Sequence, residues 1–139
     1  LHLSLRRQRQ MCIRDRLPVG LSYVLAAKYV GMIHGSPTRE LVQAIVAPPA
    51  GAVFNAAKID LLEPLPTDQL KPELVTGYLE AKRRKSIAVV YGLIDQAGDA
   101  KIGPLIESVS RLRPADGVSL VAAVKSATGV ELATELGDR

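Results

Sequence analysis

What this chain has little of narrows its chemistry before any pattern is read. Cysteine occurs once, as Cys12, and tryptophan not at all. A lone thiol closes no disulfide within the chain and supplies no multi-cysteine zinc site. Histidine occurs only as His2 and His34. A single imidazole in the body of the chain is a poor basis for a metal centre or a nucleophile triad. His34, at the end of an apolar segment, reads as a structural residue whose protonated form suits a helix C-terminus. None of Ser36, Ser86, Ser108, Ser110, Ser119 and Ser126 stands in a G-x-S-x-G setting, and there is no P-loop or dinucleotide fingerprint. The longest apolar stretch, Leu17–Ile33, falls short of the ~20 residues that span a bilayer and carries Lys28 in its middle. No nucleotide, metal or other cofactor is expected, and no transmembrane segment.

The N-terminal residues have a separate origin. The codons CGT CGG CAG CGT CAG ATG TGT ATA AGA GAC specify Arg6–Asp15 in order, AGA or AGG supplies Arg16, and CTA CAC upstream fits Leu1-His2. That DNA resembles a transposase-type sequencing adapter, with Leu3–Leu5 in the place of its variable index. Leu1–Arg16 is therefore expected to be an adapter-derived tail, which is set aside before the fold is read. The competing reading is a basic arm for nucleic acid or an anionic surface. The tail holds five of the 18 basic residues and one of the 14 acidic ones, so 13 of each sign remain and the body carries no net charge. Cys12 and His2 leave with it. The basic balance of the whole chain thus says nothing about partners, and no nucleic-acid role is expected. Residues 17–139 are the size of one domain, expected to be truncated at its N-terminus.

Residues Leu17–Ala47 organise that domain. Leu17–Ile33 is apolar on every side, the mark of a helix inside a core. The following helices can cover only part of it, so some of its surface is expected to stay exposed. Gly35-Ser36-Pro37 predicts a stop and a restart, with Gly at the helix end, Ser as N-cap and Pro in the next first turn. A second helix is predicted over Ser36–Ala47, with Leu41, Ala44, Ile45 and Val42 on its apolar side; Pro48-Pro49 ends it. Ala50–Leu62 predicts a short helix and Glu63–Pro72 a proline-rich surface connection. A long helix is predicted over Glu73–Gln96 from Val75, Tyr78, Leu79, Ile87, Val90, Tyr91 and Ile94. Its run Lys82-Arg83-Arg84-Lys85 reads as a solvated face, with no aromatic or Gly-rich loop to make it a phosphate site. Asp95 and Asp99 read as caps at a helix end, not an acid/base pair. Ala100–Leu112, regular from about Gly103, and Val118–Ala127 predict two more helices, the second closed by Gly129. Val130–Leu136 predicts a last turn or two. The fold class is all-α: an irregular bundle of about five to seven helices around the first one.

The order of a buried helix, short turn, second helix, proline-rich crossing and long helix entering Tyr91-Gly92, then Thr128-Gly129-Val130-Glu131-Leu132, resembles the C-terminal helical half of gluzincin-type, peptidase-MA-like zinc peptidases. The resemblance implies the helical part of a larger α+β domain, in a bacterial extracytoplasmic protein. In that family the first helix carries HExxH and the second a further carboxylate ligand. Laid on this chain, those positions fall on Tyr23, Val24, Ala27 and Gln43. Ala27 has no donor atom, Val24 accepts no proton and neutral Gln43 is a poor zinc ligand. The resemblance therefore implies an emptied site: a non-catalytic, metallopeptidase-like domain that binds a protein or peptide. The alternatives are a helical interaction domain unrelated to peptidases, and a fragment of an active hydrolase whose catalytic residues lie upstream. Convergence of Tyr23, Ala27 and Gln43 on one cleft would favour the first reading. Taken alone, Tyr23 reads as a core aromatic and Gln43 as a half-exposed polar residue.

Overall fold

The computed structural model describes residues 16–61, 68–111 and 117–132. Among the described residues the chain is all-α, an irregular bundle of five α-helices without strands. They are α1 (Arg16–His34), α2 (Thr38–Val46), α3 (Pro72–Ala97), α4 (Ile102–Arg111) and α5 (Gly117–Thr128). Two short 3-10 turns, Ala56–Lys58 and Asp99–Lys101, lead into α3 and α4 respectively. The adapter-like tail up to Asp15, the connection over residues 62–67 and the turn over residues 112–116 lie outside the described residues, as does everything after Leu132.

α1 and α3 form the most extensive contact in the bundle. Leu17, Leu21, Val24 and Ala27 from α1 meet Ile87, Val90, Leu93 and Ile94 from α3 in one core cluster. Val42 of α2, Leu105 of α4, Val124 of α5 and Leu132 close it from the sides. Val24, Ile87, Val90, Val124 and Leu132 are completely buried, and each such side chain contributes about 1.5–3 kcal/mol of transfer free energy.

The turn between α1 and α2 is a Schellman motif. Gly35 takes φ +67°, a conformation that costs an L-residue about 1–2 kcal/mol, and the Ser36 N–H donates to Gly31 O at 3.1 Å. Pro37, not Ser36, is the N-cap of α2; it makes no side-chain cap, and its carbonyl accepts from the Glu40 and Leu41 N–H groups. Pro37 is extended, at φ −60° and ψ 130°, so the regular helix begins at Thr38. The inward side of α2 is Leu41, Val42 and Val46, whereas Ala44 and Ile45 face solvent. Periodicity places apolar residues on one side of a helix, but the neighbour's position selects which of them it covers.

Further along, the short helix expected in Ala50–Leu62 is reduced to the 3-10 turn Ala56–Lys58, where the Asn55 side chain accepts from the Ala57 N–H at 3.0 Å. Asp99 does not cap a helix. Its carboxylate pairs with Lys28 at 2.8 Å, tying the far end of α3 to α1; an ion pair this exposed is worth under about 1 kcal/mol. Val130–Leu132 is not helical, and Leu132 plugs the core instead of continuing a turn.

Candidate functional site

Three of the four positions singled out for an emptied metal site lie together on α1. Val24 is completely buried and Ala27 is 4% exposed, both within the core cluster. Tyr23 is half-buried at the edge of that wall, where Arg83 of α3 donates from Nη1 to its hydroxyl at 2.9 Å. The same guanidinium carbon lies 5.3 Å from the Tyr23 ring centroid, and its Nη2 is paired with Glu80. Gln43 is exposed on α2. Among the described residues no hydrogen bond joins Gln43 to any of the other three. No group of three or more His, Cys, Asp or Glu side chains able to hold a metal ion occurs among the described residues. His34 is the exposed last residue of α1.

The basic run overturns its reading as a solvated face: Lys82, Arg84 and Lys85 are 2, 5 and 7% exposed. Successive helix residues point ~100° apart, so four in a row sample the whole circumference. At this level α3 is enclosed by α1 on one side and by the 3-10 loop on another. Lys85 donates from Nζ to the Ala57 carbonyl at 3.1 Å and to the Ile59 carbonyl. Lys82 places its ammonium 5.1 Å from the centre of the Tyr78 ring. Arg83 Nε and Arg84 Nε are buried without hydrogen-bond partners. Burial of the two lysines is tolerated because their alkyl stems pack as hydrocarbon while the ammonium of Lys85 finds carbonyls and that of Lys82 a ring face. No sequence signal separates this run from a solvated one, since the enclosing loop is nearly thirty residues away.

The uncovered side of α1 is the largest departure from a buried helix. Leu17, Gly20, Leu21, Val24, Ala27 and Gly31 face the core, and Val19, Ser22, Ala26, Tyr29, Val30 and Ile33 follow the opposite face with helical spacing. Tyr29 is 66% exposed, Ile33 58%, Val30 40% and Val19 36%, with Met32 beside them at 83%. The stripe carries no charge. Lys28 is drawn aside to Asp99, and the Ser22 hydroxyl is spent on the Pro18 carbonyl at 2.8 Å. From Val19 to Ile33 the stripe is about 21 Å long at 1.5 Å per residue.

A cavity of about 570 Å³ opens between the 3-10 turn and α3. Phe54 and Tyr78 form its aromatic wall, edge to face at 5.4 Å and 88°. Phe54 is the single phenylalanine of the chain, which is the one hint of this site that the sequence offered.

Among the described residues no helix is long and apolar enough to cross a membrane. Compared with protein-family models, with curated proteins and with solved structures, the chain finds no match. The fold and these sites therefore define it as an all-α bundle with an uncovered apolar helix face.

Proposed function

We propose that this chain is a non-catalytic helical domain that binds a protein partner through the uncovered face of α1. The observation that supports the reading is the uncharged stripe Val19–Ile33, exposed over about four helical turns. Scattered apolar residues on a surface need no explanation, but a contiguous apolar patch does. The occupant that fits is an apolar helical segment of the partner. The small residues Ser22 and Ala26 leave a dip between Val19 and the Tyr29–Ile33 cluster, where side chains of a second helix can seat. The absence of charge along the stripe disfavours an acidic or basic peptide.

A second reading keeps descent from gluzincin-type peptidases beside this role. It is favoured by one observation, the packing of a long apolar helix, its short follower and a third long helix in the expected order. On that reading the partner-binding face is a later use of a fold whose metal positions hold Tyr23, Val24, Ala27 and Gln43.

The test is a titration of the full chain with a leucine-faced amphipathic helical peptide and with its scrambled counterpart, followed by amide resonances. Saturable shifts at Val19, Ala26, Tyr29, Val30 and Ile33 with the amphipathic peptide alone are expected. The double variant Val30→Glu, Ile33→Glu should abolish them while keeping the helical circular-dichroism signal. Equal binding of both peptides, or none, overturns the reading. A concentration-dependent dimer that buries the same residues in sedimentation and resonance data assigns the face to a second copy and also overturns it.

A further inference from the structure

The cavity beside Phe54 and Tyr78 has features of a small-molecule site, and they lie away from the α1 stripe. Its volume of about 570 Å³ falls within the range of ordinary ligand pockets. Its apolar lining is the Phe54–Tyr78 pair with Val53 at the mouth and buried Ile59 below. Its polar lining is Asn55, Lys58 and Asp60. The Asn55 side-chain oxygen is committed to the Ala57 N–H at 3.0 Å, so its NH₂ end is the part left to donate. Lys58 is exposed, and among the described residues no ion pair holds its ammonium. The wall is set in advance of any ligand: buried Lys85 donates to the carbonyl of Ala57 within the turn and to that of Ile59 just after it. Such preorganisation lowers the cost of binding.

We propose that this cavity binds a small monoanion with an apolar or aromatic body, of the aryl or alkyl carboxylate class. The carboxylate accepts from the Lys58 ammonium and the Asn55 amide, and the body lies against Phe54 and Tyr78. The Lys58 ammonium and the Asn55 amide offer donors that match the two oxygens of a carboxylate, whereas a phosphate brings a second charge and a third oxygen beside the Asp60 carboxylate in the same lining. Two sources share this chemistry, a free small acid and the C-terminal carboxylate of a peptide ending in an apolar residue.

The experiment uses the full chain and four probes: 3-phenylpropionate, its primary amide, phenyl phosphate, and a tetrapeptide ending in phenylalanine with a free carboxylate. The acid should shift the amide resonances of residues 53–60 and of Tyr78 saturably, with at least tenfold tighter binding than the amide or phenyl phosphate. Lys58→Gln should weaken the acid at least fivefold and leave the amide's binding unchanged. Tighter binding of the tetrapeptide than of the free acid assigns the source to a chain end, and the reverse order assigns it to a small acid. No saturable shift at millimolar acid, equal binding of acid and amide, or stronger binding of phenyl phosphate overturns the proposal. The comparison of acid with amide on the unsubstituted chain decides it even if a variant fails to fold.

Discussion

Gly20 of α1 and Ser86 of α3 touch without an intervening side chain: a methyl group at Gly20 would lie 2.6 Å from both the Ser86 carbonyl oxygen and its hydroxyl. Ser86 is 1% exposed at the centre of α3, so the two helices meet nearly backbone to backbone at this point. The remaining core is registered from that contact, with Leu17, Leu21 and Val24 on one side and Ile87 and Val90 on the other.

Gly20→Ala should therefore destabilise the chain despite the better helix propensity of alanine. Propensity favours the change by up to about 1 kcal/mol. Overpacking against a backbone atom costs about 1–3 kcal/mol, because α3 itself must shift. A net loss of about 1–2 kcal/mol is expected from these opposing effects. Urea denaturation measures it, and an unchanged or raised midpoint would show that the helices are farther apart than described.

The Tyr23–Arg83 pair links the edge of α1 to α3 through a 2.9 Å hydrogen bond and a ring–guanidinium contact. Tyr23→Phe keeps the ring and removes the hydrogen bond, at a cost of about 0.5–1.5 kcal/mol. Arg83→Met removes both contacts and also frees Glu80. A double-mutant cycle between the two positions should give a coupling of about 0.5–1.5 kcal/mol. Additive effects would mean that the two side chains do not interact in solution.

Lys85 is the residue that holds the 3-10 loop to α3. Replacing it with methionine keeps the hydrocarbon stem but leaves the Ala57 and Ile59 carbonyls without their buried donor. Each unsatisfied buried group costs about 1–3 kcal/mol, part of which is offset because an ammonium need no longer be desolvated. A net loss of about 1–3 kcal/mol is expected from this balance. Hydrogen exchange should localise the change, with amides of residues 55–61 losing protection while the core of α1 and α3 keeps it. Unaltered protection in the loop would remove Lys85 from this role.

The proposed descent from gluzincin-type peptidases makes a demand that the geometry can be asked to meet. The quadruple variant Tyr23→His, Val24→Glu, Ala27→His, Gln43→Glu installs the peptidase ligand types at the corresponding positions. Val24 and Ala27 lie in the packed core and Gln43 in solvent, so the apo variant should lose several kcal/mol of stability. Its zinc affinity, measured by calorimetry, should be weak and should not change when Gln43 is restored. An affinity at least tenfold higher with the carboxylate at position 43 than without it would reverse this expectation and favour peptidase descent.

The helices themselves were legible because their hydrogen bonds are local. Leu17–Ile33 and Glu73–Gln96 were located to within one residue at each end as α1 and α3, from apolar spacing and from Gly35 and Gly98 at their ends. The all-α class followed among the described residues. The N-cap of α2 was misplaced by one residue: Pro37, not Ser36, has the extended conformation of the cap, and its carbonyl accepts the first bonds of the helix.

Everything that concerns which side of a helix is covered belonged to the tertiary structure. Lys82-Arg83-Arg84-Lys85 is a solvated face by composition, and its burial comes from α1 and from a loop nearly thirty residues upstream. α1 is apolar all round by composition, yet the described elements cover only its Leu17–Val24–Ala27 side, leaving Tyr29, Val30 and Ile33 exposed. Phe54 and Tyr78 form a cavity wall only because the 3-10 turn folds back on α3. Backbone hydrogen bonds in a helix join residues four apart and are written in the local sequence. Burial is set by which distant segments arrive and how much area they bring, and no local spacing records that.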